Sequence, residues 1–326
     1  MKLLDILEFS KDASKDKRKQ MDYRFFLILS GVEFLIGILG NVFIGLVLCS
    51  ECVKNQKTSL FDFILTGLAI SRISQLLVFF VESLIIGLEP QVFAIFKLAK
   101  PIALLWRISN HLTTWLVTCL SIFYLLKIAH FSHSLFFWLK WRMNSVILVI
   151  LAFSLVFLIL DILLLETFND LFWNLINEGN LTLVESKTHY IKSESLLSFS
   201  YFIPIVLSLL SLFFLFRSLV KHTRNLHLNF MGSRDFSTKA HKRAMKMVTS
   251  FLLLIMVHFL FTQLANWMFH RFLDNKFTKF IMLALYVFPS GHSFMLILGN
   301  NQLRQIALKV LKHLKSSLKR QNPLAL

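Results

Sequence analysis

Cysteine is scarce in this chain. Cys49, Cys52 and Cys119 all fall in or beside long apolar stretches, so no disulfide framework organises the fold. Glycine and proline are scarce too, with 10 and 5 in 326 residues. No Gly/Pro-rich linker divides the chain, and no internal repeat is visible. Acidic residues number 18 against 35 Lys and Arg. That excess flanks apolar runs instead of forming one basic domain, which argues against a nucleic-acid partner and for anionic lipid and cytoplasmic proteins. Paired carboxylates on facing segments and mixed His/Cys/acid sets are also missing, so no catalytic centre, metal site or cofactor is expected. His130 and His133 have a metal-like spacing but no carboxylate or cysteine beside them, and read as interfacial polar residues.

What the chain has in quantity is apolar length. It is 56% hydrophobic and carries 35 phenylalanines. Runs of about 20 apolar residues make helices of about 30 Å, the thickness of a bilayer core. The pattern lacks the alternation of a membrane β-barrel. It predicts an all-α membrane protein, a seven-transmembrane helix bundle at 25–299, with spans near 25–49, 60–88, 98–127, 145–165, 196–216, 246–270 and 279–299. A tail at 1–24 precedes it and a tail at 300–326 follows. Odd span number puts the two ends on opposite sides. The segments at 50–59, 127–143, 217–246 and 300–326 hold 19 Lys and Arg, against 14 in the other set. The bias predicts the N-terminus outside and the C-terminus inside. Residues 1–20 hold 6 of those 14. They read either as a solvated tail or as an extension upstream of a start at Met21. Asn180-Leu-Thr182 is a glycosylation sequon in a segment this orientation places outside. The stretch NQLRQIALKVLKHLKSSLKR reads as a short amphipathic C-terminal helix lying on the inner leaflet.

A few polar residues do not belong in lipid. Arg72 ends LAISR, about ten residues and ~15 Å inside the second run. An intramembrane arginine costs at least ~2.5 kcal/mol and normally faces partners inside the bundle. Asn41 on the first span lies at similar depth, and Ser290 and Ser293 on the seventh offer hydroxyls. The expectation is a structural polar network of Asn41, Arg72, Ser290 and Ser293. On the third span Trp106, Asn110 and Thr113 fall at i, i+4 and i+7, one face carrying an aromatic and an amide, which suits a small-molecule pocket. Trp138 and Trp141 read as interface anchors. Glu82 and Asp161, near the outer ends of their spans, read as interfacial or pocket residues.

Several stretches together resemble one family: GILGNVFIGLV, LAISR, NHLTTWLVTCLSIFYLLKIAHFSHSLFFWLKWR, SLVKHTRNL, GSRDFSTKAHKRAMK and PSGHSFMLILGNNQLRQ. In this order they are similar to the type 2 (bitter) taste receptors, seven-helix G-protein-coupled receptors, over nearly the whole chain from about Met21. The resemblance implies a plasma-membrane receptor for bitter small molecules that activates a gustducin-type heterotrimeric G protein. It implies ligand contacts at Trp106, Asn110 and Met282, and an activation-linked aromatic at the position of His258. It implies G-protein contacts around Tyr124, Lys127, Lys221 and His222. Some relatives carry an acid where Met282 stands here, so a neutral apolar ligand is expected. The family lacks the usual disulfide to the outer loop, in keeping with these cysteines. Oligomeric state stays open. A polytopic transporter or channel is the competing class; it would show repeated halves or Gly/Pro-broken span pairs.

Overall fold

In a computed structural model of the chain, the described residues are 2–55, 59–88, 96–129, 131–177, 199–229, 235–268 and 276–321. They fold almost entirely as helix: α1 (Lys2–Asn55), α2 (Leu60–Leu88), α3 (Phe96–Ile128), α4 (Ser134–Trp141), α5 (Met143–Asn177), α6 (Phe202–Asn229), α7 (Asp235–Met268), α8 (Lys276–Gly299) and α9 (Asn301–Gln321). A single 3-10 turn, Phe199–Tyr201, leads into α6. Six of these helices are long and apolar enough to cross a membrane, within Met21–Lys54, Leu60–Leu84, Leu104–Ile128, Met143–Thr167, Phe202–Lys221 and Lys279–Gly299. The apolar part of α7 is shorter, Thr249–Leu264. The first span occupies only the later part of α1, whose helix also runs through residues 2–24.

The ends of these helices follow from local chemistry. Ser59 starts α2: its Oγ accepts from the Asp62 N–H at 3.1 Å and lies 2.6 Å from Asp62 Oδ2, a cap that satisfies a free helix N–H. His133 starts α4 in the same way, its Nδ1 accepting from the Leu135 N–H at 3.2 Å. Asn300 separates α8 from α9, its Oδ1 accepting from the N–H groups of Gln302 and Leu303.

The helices close into a ring: α1 touches α2 and α8, α2 touches α3, α3 touches α6, α6 touches α7, and α7 touches α8. Helix α3 is the hub, since it also carries α5. The largest core cluster gathers Ile44, Leu48, Leu68, Leu120, Phe123, Leu215, Phe251, Phe288 and Leu296 from six helices, and reaches Leu303 of α9. A second cluster, Leu76, Phe79, Leu285 and Tyr286, lies nearer the other end. Outward faces stay apolar. On α5, Leu148, Phe153, Val156, Leu160 and Leu163 are all about half exposed or more. A helix apolar on every side that exposes most of its girth needs lipid around it.

Candidate functional site

Helix α3 sets the site. Asn110, Thr114 and Val117 follow at i, i+4 and i+7, so they share a face, and this face walls a cavity. Tyr201 of the 3-10 turn, Ile205 and Ser208 of α6, Ile255, His258 and Thr262 of α7, and Phe288 of α8 are among the other walls. About 440 Å³ is free of atoms, its open mouth included, yet the shape is a slot. The centre of a water molecule has only about 30 Å³ in which to move. Mostly apolar walls with a few fixed polar groups are what a small organic ligand requires.

Two polar groups are held in place there. Asn110 is buried, and its Oδ1 accepts from Gln75 Nε2 of α2 at 3.3 Å. That contact leaves the Asn110 amide N–H groups as donors. His258 stacks on Phe288 with ring centroids 3.9 Å apart. On the α3–α6 side, Thr118 Oγ1 lies 2.8 Å from Ser208 Oγ and 2.9 Å from the Pro204 carbonyl, pinning those helices beside the slot.

Of the five residues expected at a ligand, Asn110 and His258 line this cavity. Trp106 packs instead against Leu76, Phe79, Leu285 and Tyr286. Thr113 is fully buried toward α2 and donates to Ser71 Oγ at 3.1 Å. Met282 packs with Phe26, Tyr23 and Leu283. The face read from Trp106, Asn110 and Thr113 is thus turned by one residue from the one that meets the cavity. Spacing alone cannot separate the two, because α3 is buried nearly all round.

The α1–α2–α8 junction is geometric and tight. Arg72 Nη1 donates to Ser293 Oγ at 3.3 Å, and its Nη2 lies 2.8 Å from His292 Nδ1. Ser293 Oγ is 2.7 Å from both Asn41 Oδ1 and the Pro289 carbonyl. Asn41 Nδ2 donates to the Gly37 carbonyl at 2.8 Å. Asn41, Arg72 and Ser293 therefore meet; Ser290 is buried on the same helix but its Oγ has no partner. His292 joins the group unanticipated.

A second buried cation escaped the sequence reading. Arg107 Nη1 is 3.5 Å from Asp161 Oδ2, both side chains nearly inaccessible. Tyr201 Oη donates to the Arg107 carbonyl at 3.4 Å, tying the pair to the cavity wall. A count held the signal: of the arginines, only Arg72 and Arg107 fall inside the expected spans. Asp161 is a buried ion-pair partner.

At the opposite end of α3, Tyr124 is half-buried and meets Phe61 edge-on at 6.0 Å. Lys127 is exposed, with its Nζ 5.1 Å from the Phe123 ring centre. Lys221 is exposed on α6, and His222 follows it in the same helix. Asn180 and His130 lie outside the described residues.

The family described as Taste receptor protein (TAS2R) matches residues 19–315. The chain belongs to the taste receptor type 2 family. Taste receptor type 2 member 42 of Pongo pygmaeus is 58% identical over 308 residues, 93% of this chain and 98% of the relative. The protein of the same name from Homo sapiens is 57% identical over the same shares. Taste receptor type 2 member 7 of Pongo pygmaeus is 40% identical over 90% of this chain and 94% of its own length. The chain is therefore a multi-pass membrane receptor and not an enzyme.

Proposed function

We propose that this receptor binds bitter small molecules in the slot between α3, α6, α7 and α8 and passes the signal to a gustducin-type heterotrimeric G protein. The observation that carries this reading is the slot itself, with Asn110 and His258 on opposite walls of an otherwise largely apolar cleft. Agonist is a neutral, largely apolar molecule: Asn110 donates to one acceptor on it, and the His258–Phe288 stack gives it an aromatic wall. Trp106, Thr113 and Met282 act one layer out, by holding α2 and α8 against the slot. Seven spans cross the plasma membrane, α7 included, with the N-terminus outside and the C-terminus inside. Helix α9 lies along the inner leaflet, with Leu308 and Leu311 exposed for insertion.

The slot is too narrow for an organic molecule as it stands. Agonist therefore favours an arrangement in which α6 and α7 stand further from α3, and can shift the equilibrium only by its preference for that state. Movement of their inner ends opens a cleft for the Gα C-terminus beside Tyr124, Lys127, Lys221 and His222. The Asn41–Arg72–Ser293 network anchors the static side of the bundle.

The test is calcium release in cells co-expressing the receptor and a gustducin-type chimeric Gα, across a panel of bitter compounds. A Gα-dependent response, with potency lowered at least tenfold by Asn110→Ala and by His258→Ala at unchanged surface expression, is the expected result. Electrogenic flux that persists without Gα would point to a transporter or channel instead.

A further inference from the structure

Arg72 carries a permanent charge and is completely shielded from solvent. Among the described residues no carboxylate pairs with it. Its partners are Ser293 Oγ and His292 Nδ1. A guanidinium can only donate, so His292 Nδ1 accepts and the imidazole is neutral. The Arg72 Nε–H has no acceptor at all.

Ser290 shares the problem. It is buried, and its Oγ makes no hydrogen bond. It precedes Ser293 by three residues, on the same side of α8. Gly37 links it to the same junction: a Cβ at Gly37 would meet both Ser290 Oγ and Leu76, one turn after Arg72. Gly37 also supplies the carbonyl that takes Asn41 Nδ2. The α1–α2–α8 junction thus holds one full positive charge, one unused N–H and one unused hydroxyl.

The other arginine in the spans shows what is missing. Arg107 is equally buried but faces Asp161. Burying a charge without an opposite one is the costly case, and every neutral partner leaves the net charge in place. We propose that the α1–α2–α8 junction binds a small monovalent inorganic anion, held by the Arg72 Nε–H and the Ser290 hydroxyl. Chloride fits this description: it is monatomic, it accepts from several donors at once, and it neutralises the charge without a carboxylate from the chain. A bound chloride ties α2 to α8 and stabilises the bundle by mass action.

The test uses full-length receptor purified in detergent, with its thermal midpoint followed as sodium chloride replaces sodium gluconate at constant ionic strength. The expected result is a midpoint that rises saturably with chloride. Ser290→Ala raises the half-saturating chloride concentration severalfold, and Arg72→Gln removes the dependence. Ser290→Asp places a counter-ion in the chain itself; it removes the dependence while keeping the midpoint near the chloride-saturated value, and so tests the idea even if Arg72→Gln fails to fold. Equal midpoints in chloride and gluconate for the unaltered receptor would overturn the proposal in favour of neutral solvation, by water for example. A chloride effect that survives unchanged in Ser290→Ala and Ser290→Asp would overturn it too, by placing the ion elsewhere.

Discussion

Thr113 and Thr114 are neighbours in sequence with opposite duties. Thr114 lines the slot, whereas Thr113 is buried against Ser71. Valine matches threonine in shape and lacks the hydroxyl. Thr113→Val is expected to lower stability by about 1 kcal/mol, the usual net value of one hydrogen bond, and to leave agonist potency within threefold. Thr114→Val is expected to change potency and leave the thermal midpoint nearly unmoved. Calcium dose–response curves and thermal melts of the same two variants check both halves. A sharper loss is expected at Arg107 and Asp161. Asp161→Asn removes the carboxylate that faces the buried Arg107 cation and is expected to cost about 3–5 kcal/mol, while replacing both residues with apolar ones of similar size recovers most of it. Thermal midpoints of the single and double variants decide the point; additive losses would show that the two side chains do not depend on each other.

At the scale of helices, α1 approaches α2 and α8 closely at Gly37. An added Cβ there would lie 2.5 Å from Ser290 Oγ and 2.7 Å from Leu76 Cδ1, closer than atoms tolerate. Gly31 and Gly45, on the same helix, have nothing within 4 Å. Gly37→Ala is thus expected to destabilise by about 1–3 kcal/mol through overpacking, seen as reduced surface expression and a lower midpoint. Gly31→Ala and Gly45→Ala are expected to be neutral or slightly stabilising, since alanine favours the helix. The helices themselves were legible in the sequence, because a run such as 60–88 is mostly apolar and ends where α2 ends, at Leu60 and Leu88. Rotation about the helix axis was not. Helix α3 is enclosed by α2, α5 and α6, so it has no polar stripe to mark its outside, and spacing favours the Trp106–Asn110–Thr113 face although Asn110 with Thr114 meets the slot. The same enclosure hid Asp161, whose partner lies 54 residues earlier.

For the whole molecule, the depth of Arg72 and Asn41 pointed from sequence to the meeting of α1, α2 and α8, whereas the near-balance of 19 against 14 Lys and Arg left orientation weakly marked. An epitope at each end is expected to settle it: staining of the N-terminal tag in intact cells, and of the C-terminal tag only after permeabilisation. Asn180→Gln is expected to remove the glycosidase-sensitive mobility shift of the receptor. The slot between α3 and α7 also governs time. With only about 30 Å³ open to a water centre, the slot as it stands has no vacancy for an incoming organic molecule, which must wait for the walls to part. Encounter is then not the slow step. The observed binding rate should climb with agonist concentration and level off at the rate at which the bundle breathes, and the apparent affinity should fall short of the intrinsic one by the fraction of receptors open at any moment. A persistent linear climb, up to saturating agonist, would mean that the cleft admits ligand as it is. Chemically unlike agonists would otherwise share one ceiling, because that ceiling belongs to the protein.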